Sequence, residues 1–204
     1  MAMDHAEILA RLETVIAGRL GGDPDSSYVA RLHAKGLGKI AQKVGEEATE
    51  TVIAALTGDD ADLTGEAADL VFHLLVLLGA RGIALDGARP PLHGPWAMDH
   101  AEILARLETV IAGRLGGDPA SSYVARLHAK GTGKIAQKVG EEATEVVIAA
   151  LTGDAAELTG EAADLVFHLM VLLGARGVAF DAVLAELARR EGTSGIVEKA
   201  SRRD

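Results

Sequence analysis

Residues 2–86 of the chain recur as residues 97–181 at a constant offset of 95. Of the 85 paired positions only eight differ: 25/120, 37/132, 51/146, 60/155, 62/157, 75/170, 83/178 and 85/180. No other feature limits the fold so tightly, because the second copy must adopt the fold of the first. The 204 residues therefore read as two units: 2–86, and 97–204 with extra C-terminal sequence. Residues 87–96 join them. Pro90, Pro91 and Pro95 exclude a regular helix there and make a semi-stiff linker. An 85-residue unit is small for a self-sufficient core, so the copies are expected to pack on each other.

The pattern within one copy is all-α. Asp4 and Glu7 form a D-x-x-E helix start, and Ile8, Leu9, Leu12, Val15, Ile16 and Leu20 follow at helical spacing. Gly21 and Gly22 end this helix, with Pro24 beyond. Ser26 or Ser27 can cap a short second helix through Tyr28, Val29 and Leu32, which Gly36 and Gly38 interrupt. A third helix is predicted over about 38–56, with Ile40, Val44, Ala48, Val52 and Leu56 spaced by four. The stretch 57–60 makes a turn, and a fourth helix over about 61–80 aligns Leu63, Leu70, Leu74 and Leu77. No stretch alternates apolar and polar residues long enough for a strand. Short loops between four helices imply antiparallel neighbours in a bundle. Only the second copy continues, with Asp181 predicted to cap a fifth helix over 182–190 and a tail over 192–204.

Composition removes several function classes. With 49% hydrophobic and 25% charged residues the chain is globular. The absence of cysteine excludes disulfides, thiolate zinc sites and thiol nucleophiles. A net charge of −10 and only six aromatic side chains give no basis for nucleic-acid binding. The first residues carry no basic leader and no 18-residue apolar run occurs, so neither a signal peptide nor a membrane partner is expected, and the expected location is the cytoplasm.

Charge gathers on the third and fourth helices. At about 100° per residue, Lys39, Lys43, Glu46, Glu47 and Glu50 share an arc of roughly 100°. Glu66 and Asp69, three apart, share a face, and His73 stays on that side. If the two helices are antiparallel neighbours, the acidic patches meet. Converging carboxylates in a bundle need a cation, and an all-oxygen donor set suits Mg²⁺, with Mn²⁺ as substitute. Lysines beside such a cluster are what a polyphosphate requires. Charge alone also fits a solvated face with pairs such as Lys43 with Glu47. Glu66 and Asp69, on a strongly apolar helix, resist that reading. His73 reads as a satisfied core histidine supporting the acids, Tyr28 as packing, and Gly36 as a helix stop. A ferritin-like di-metal site would need Glu-x-x-His motifs, and the sequence has none.

Three stretches carry a family resemblance: GLGKIAQKVGEEATE at 36–50, EAADLVFHLLVLL at 66–78 and REGTSGIVEKASR at 190–202. They resemble the phosphoribosyl-ATP pyrophosphatases of histidine biosynthesis. The acids Glu47-x-x-Glu50 and Glu66-x-x-Asp69 more distantly resemble the motif of MazG-like all-α nucleotide pyrophosphatases. The resemblance spans both copies. It implies a Mg²⁺-dependent hydrolase that acts on a small nucleotide, converting 1-(5-phosphoribosyl)-ATP to 1-(5-phosphoribosyl)-AMP and pyrophosphate, in a dimer of helical subunits. Carried over, Glu47, Glu50, Glu66 and Asp69 become metal ligands, Glu46 a further ligand or the base for water, and Lys39 and Lys43 phosphate-binding groups. In the second copy the same roles fall to Glu142, Glu145, Glu161 and Asp164, to Glu141, and to Lys134 and Lys138. The rival readings are a MazG-like housecleaning nucleotide pyrophosphatase and a non-catalytic helical repeat scaffold.

The two copies are expected to form, within one chain, the dimer that single-copy relatives form from two subunits, a pseudo-dimeric bundle. Ten linker residues reach at most about 33–36 Å, enough for this. Pairing of whole chains, or exchange of copies between them, stays open. The missing fifth helix of the first copy is expected to bare an apolar patch near Leu77 and Ile83, since one helix bearing Leu184 and Leu187 covers one patch.

Overall fold

The computed structural model describes residues 5–83 and 100–190. The first helix-start signal at Asp4, the linker 87–96 and the tail 192–204 lie outside the described residues. Everything regular among the described residues is helix. The first copy forms α1 (His5–Leu20), α2 (Tyr28–Ala34), α3 (Leu37–Thr57) and α4 (Asp60–Ala80). The second repeats them as α5 (His100–Leu115), α6 (Tyr123–Ala129), α7 (Thr132–Thr152) and α8 (Ala155–Arg176), then adds α9 (Phe180–Arg190).

Local chemistry sets the boundaries. Ser27 caps α2 by accepting a hydrogen bond from the Ala30 amide at 3.3 Å. Gly36 does more than stop a helix. Its φ of +88° lets the chain turn directly from α2 into α3, for which it is the N-cap, and Gly38 lies inside the first turn of α3. Asp59 caps α4 through the Ala61 and Asp62 amides, both at 2.9 Å. At the matching start of α8, Glu157 stands where the first copy has Asp62. Its longer side chain accepts from the Asp154 amide at 3.1 Å and closes a capping box.

The four-residue series on α3 is only half core. Ile40, Val44 and Ala48 are buried and Val52 is half-buried, whereas Leu56 is 52% exposed. Steps of four on a 3.6-residue helix turn the stripe by about 40° each, so it leaves the core. Thr51, Ala54 and Ala55 continue the buried face instead. On α4, Leu63, Leu70, Leu74 and Leu77 are all buried as the pattern requires. Both α4 and α8 are long and apolar enough to cross a membrane by composition, but at least half of each apolar window is buried inside the bundle.

The two copies share one continuous hydrophobic core. In each, the third helix packs on the fourth, and α3 packs against α7 across the copies. Reciprocal contacts mark an approximate two-fold relation. Arg81, after α4, donates to the Gly153 carbonyl at 2.8 Å. Its counterpart Arg176 donates to the Ala55 carbonyl and to that of Gly58 at 3.3 Å. Arg176 also pairs with Asp60 at 3.2 Å, a contact Ala155 cannot offer Arg81.

Helix α9 corrects two expectations. It starts at Phe180, before the predicted cap Asp181, because Glu108 of α5 accepts from the Phe180 amide at 2.7 Å. Beyond its contacts with α5 and α8 of its own copy it lies mainly against α4 and α1 of the first, and Phe180, Val183, Leu184 and Leu187 are buried. Full burial of such side chains stabilises by about 1.5–3 kcal/mol each. The first copy is therefore the covered one, with Leu77 fully buried. The bared face belongs to the second copy. Ile8 is 5% exposed but its counterpart Ile103 is 46% exposed, and Ala68 is buried where Ala163 is exposed.

Candidate active site

Each copy brings its charged residues together where its third and fourth helices face one another. In the first copy α3 carries Lys39, Lys43, Glu46, Glu47 and Glu50, and α4 carries Glu66, Asp69 and His73. Carboxylate oxygens of Glu47, Glu66 and Asp69 all lie within 4.8 Å of one another. In the second copy the equivalent group is Glu142, Glu145 and Glu161. Thus Glu145 enters the second cluster, while Asp164, the counterpart of Asp69, is exposed.

Glu47 is the buried centre of the first site. Lys43 reaches it from one turn earlier, with Nζ 2.5 Å from Glu47 Oε1 and 2.8 Å from Glu46 Oε2. Burial works against the lysine charge, but the hydrogen bonds to Glu46 and Glu47 outweigh it and raise its pKa. The same hydrogen bond holds Glu46 below the usual carboxylate range. Burial, reinforced by the Glu47 charge, pushes Glu50 up. In the second copy Lys138 Nζ lies 2.5 Å from Glu142 and 3.0 Å from Glu141. The Glu142 hydrogen bond raises Lys138, and the Lys138 hydrogen bond lowers Glu141. Glu145 is raised by its hydrogen bond to Glu142 and by the charge there.

Glu46 and Lys39 stand on the outer rim. Lys39 Nζ donates to Gln42 Oε1 at 2.9 Å, and Gln42 donates to Glu46 at 2.7 Å. Lys134, Gln137 and Glu141 repeat this chain at 2.9 and 2.7 Å. The glutamines went unnoticed in the sequence, although their three- and four-residue spacing was the signal.

His73 is a support group, as its sequence context suggested. A carbonyl only accepts, so His73 Nδ1 donates to the Asp69 carbonyl at 2.8 Å. Its Nε2 is then the acceptor for the Tyr28 hydroxyl at 2.9 Å. Burial lowers the pKa of His73, which favours this neutral form. Both ring nitrogens are thereby used, and Nδ1 lies 3.7 Å from Glu47 Oε1. Tyr28 packs on Phe72, but it also fixes the histidine, a role that packing alone did not anticipate. His168 and Tyr123 repeat the arrangement at 2.9 Å.

One contact had no local signal at all. Arg190, at the end of α9, places Nη1 2.7 Å from Asp69 Oδ1 and Nη2 3.3 Å from the Gly65 carbonyl. Glu186 orients it, accepting from Nε at 2.7 Å.

The donor chemistry of both clusters fits Mg²⁺ or Mn²⁺. Several carboxylate oxygens converge, no thiolate is near, and the adjacent histidines are committed to other partners. Fold and site together define an all-α bundle protein with a duplicated carboxylate centre flanked by lysines. A family model described as phosphoribosyl-ATP pyrophosphohydrolase matches residues 9–93 and again 104–191. The chain belongs to that family. It is 74% identical over 105 residues to the phosphoribosyl-ATP pyrophosphatase of Novosphingobium aromaticivorans, covering 52% of this chain and 98% of that protein. The corresponding enzyme of Erythrobacter litoralis is 69% identical over 101 residues, covering 50% of this chain and 97% of the relative. That of Rhizorhabdus wittichii is 66% identical over 99 residues, covering 48% and 93%. Half of this chain thus accounts for nearly all of each relative.

Proposed function

We propose that each copy hydrolyses 1-(5-phosphoribosyl)-ATP to 1-(5-phosphoribosyl)-AMP and pyrophosphate, a step of histidine biosynthesis, in the cytoplasm. The observation that carries this is the convergence of acid oxygens within 4.8 Å in both copies, each beside a charged lysine. Family membership supplies the substrate, since the similar proteins carry the name phosphoribosyl-ATP pyrophosphatase.

Glu47, Glu50, Glu66 and Asp69 would hold Mg²⁺ in the first copy, and Glu142, Glu145, Glu161 and Asp164 in the second. When bound, the cation neutralises polyphosphate charge and makes a coordinated water more acidic. Lys43 and Lys138 remain protonated at neutral pH and are assigned to the phosphate oxygens. Lys39 and Lys134, further out, extend that positive rim. Glu46 and Glu141 are ionised, reach solvent and are assigned to take the proton from water. The water oxygen bonds to the α-phosphorus in line as the bond to the α,β-bridging oxygen breaks. That oxygen keeps the electron pair and leaves with pyrophosphate. The unit of function is the single chain with its two copies paired.

The test is pyrophosphate release from phosphoribosyl-ATP compared with ATP and non-standard nucleoside triphosphates, with and without chelator. The reading requires phosphoribosyl-ATP to be preferred and chelator to abolish turnover. Preference for non-standard triphosphates would favour the housecleaning role, and no release from any substrate would favour a scaffold.

A further inference from the structure

We infer that Arg190 makes the two sites of one chain unequal, by competing with a divalent cation for Asp69 in the first site only. The inference rests on the metal reading above. Its basis is where α9 lies: the helix belongs to the second copy by sequence but packs on α4 and α1 of the first. Its last residue enters the first site, with Nη1 2.7 Å from Asp69 Oδ1. The pair is well sheltered, with Arg190 10% and Asp69 21% exposed. Arg190 is not a passing surface charge, because Glu186 and the Gly65 carbonyl hold its guanidinium in place.

Among the described residues the second site has nothing equivalent. Asp164 is exposed and forms no ion pair among the described residues. The cover differs too: Lys43 is 12% exposed and Lys138 24%, and Gly65 and Ala68 are sheltered where Gly160 and Ala163 are exposed. Among the described residues one fifth helix serves two sites, so this part of the inequality follows from the connectivity of the chain, since the acids themselves are the same residues in both copies.

Asp69 belongs to the first cluster of converging oxygens. A cation that binds there must share or displace the guanidinium. That costs roughly one charge-assisted hydrogen bond, or about tenfold in affinity. The second site carries no such cost. Arg190 is thus a positioning residue for Asp69, and it sets the order in which the two sites fill.

The test is a Mn²⁺ titration of the full chain without substrate, followed calorimetrically and by the electron paramagnetic resonance of free Mn²⁺. Two classes of site are expected, separated by about tenfold. Asp164→Asn should remove the tighter class. Arg190→Gln should tighten the weaker class toward the other and leave the tighter one unmoved. Arg190→Lys, which keeps the charge, should keep the classes apart and so separates charge from helix packing. Identical classes in the unmodified chain, or an Arg190→Gln shift in the class that Asp164→Asn removes, would overturn the inference and leave the metal reading standing. No Mn²⁺ binding at all would overturn both.

Discussion

Lys43 and Glu47 show how one pair of residues serves both the fold and the site. A buried glutamate is costly alone, and Lys43 offsets that cost at 2.5 Å. The sequence left two readings of this pair open, a solvated face or a phosphate grip. The burial of Glu47 removes the first for that residue, whereas Lys39 and Glu46 do lie at the exposed rim. If Lys43 and Lys138 serve phosphate, Lys→Met at both should lower kcat/KM by at least about a hundredfold, the scale of a lost charged contact. A loss of melting temperature with kinetics unchanged would leave them as structural partners of glutamate only. The acids of the fourth helix make a second prediction. Asp69→Asn with Asp164→Asn should abolish most turnover, but the two changes differ in stability. Asp69→Asn breaks a sheltered pair with Arg190 and should cost about 1–2 kcal/mol, whereas exposed Asp164→Asn should cost less than about 0.5 kcal/mol. Denaturant titration of the single variants measures this directly, and equal losses would contradict it. The face shared by the acids and lysines was legible because helical spacing fixes it, but spacing did not show that Glu50 and Asp164 stand exposed and outside the groups of converging oxygens. The Tyr28–His73 link spans 45 residues and could not be read from spacing.

At the scale of elements, the bounds of α3, α4, α7 and α8 follow from caps and glycines that the sequence displays. The destination of α9 does not, because its partners lie more than a hundred residues away: Arg190 meets Asp69 across 121 positions. Periodicity shows that a helix has an apolar face, but not which copy will cover it. Charge on α9 gives a test of its docking. Glu186 is held down to about 2 by hydrogen bonds from Arg189 and Arg190, against an ordinary value of 4.5. A depressed carboxylate contributes stability that is fully present above its unfolded pKa and is lost as pH falls through the folded one. The contribution of Glu186 should therefore be complete above about pH 4.5 and fade toward pH 2. Solvent around the exposed Arg189 limits it to the order of 1 kcal/mol. Glu186→Gln should flatten this part of the acid limb when unfolding is followed against pH. An unchanged limb would mean that the contacts persist without the charge.

At the scale of the molecule, the repeat supplies both halves of a two-fold interface within one chain. Arg81 to Gly153 and Arg176 to Gly58 are the same contact made in both directions, as a self-complementary interface requires. The α3–α7 packing joins the two cores into one, and α9 adds a third tie from the second copy onto the first. A single copy freed of these contacts would expose much of that shared core. The first copy would also lose its cover over Ile8 and Ala68. Proteolytic cleavage engineered into the linker 87–96 should therefore leave the halves associated, with light scattering still giving the mass of the intact chain. Adding Arg81→Ala and Arg176→Ala should weaken that association, because each removes a charged donor to a carbonyl, an interaction of about 1.5–3 kcal/mol. Tethering hides such losses in the uncut chain, where the linker keeps the second copy at about millimolar effective concentration. The cut protein should therefore reveal a dependence on concentration that the intact chain lacks. Halves that separate as folded monomers at micromolar concentration would show that each copy has its own sufficient core, and that the pairing seen here is not what stabilises the unit.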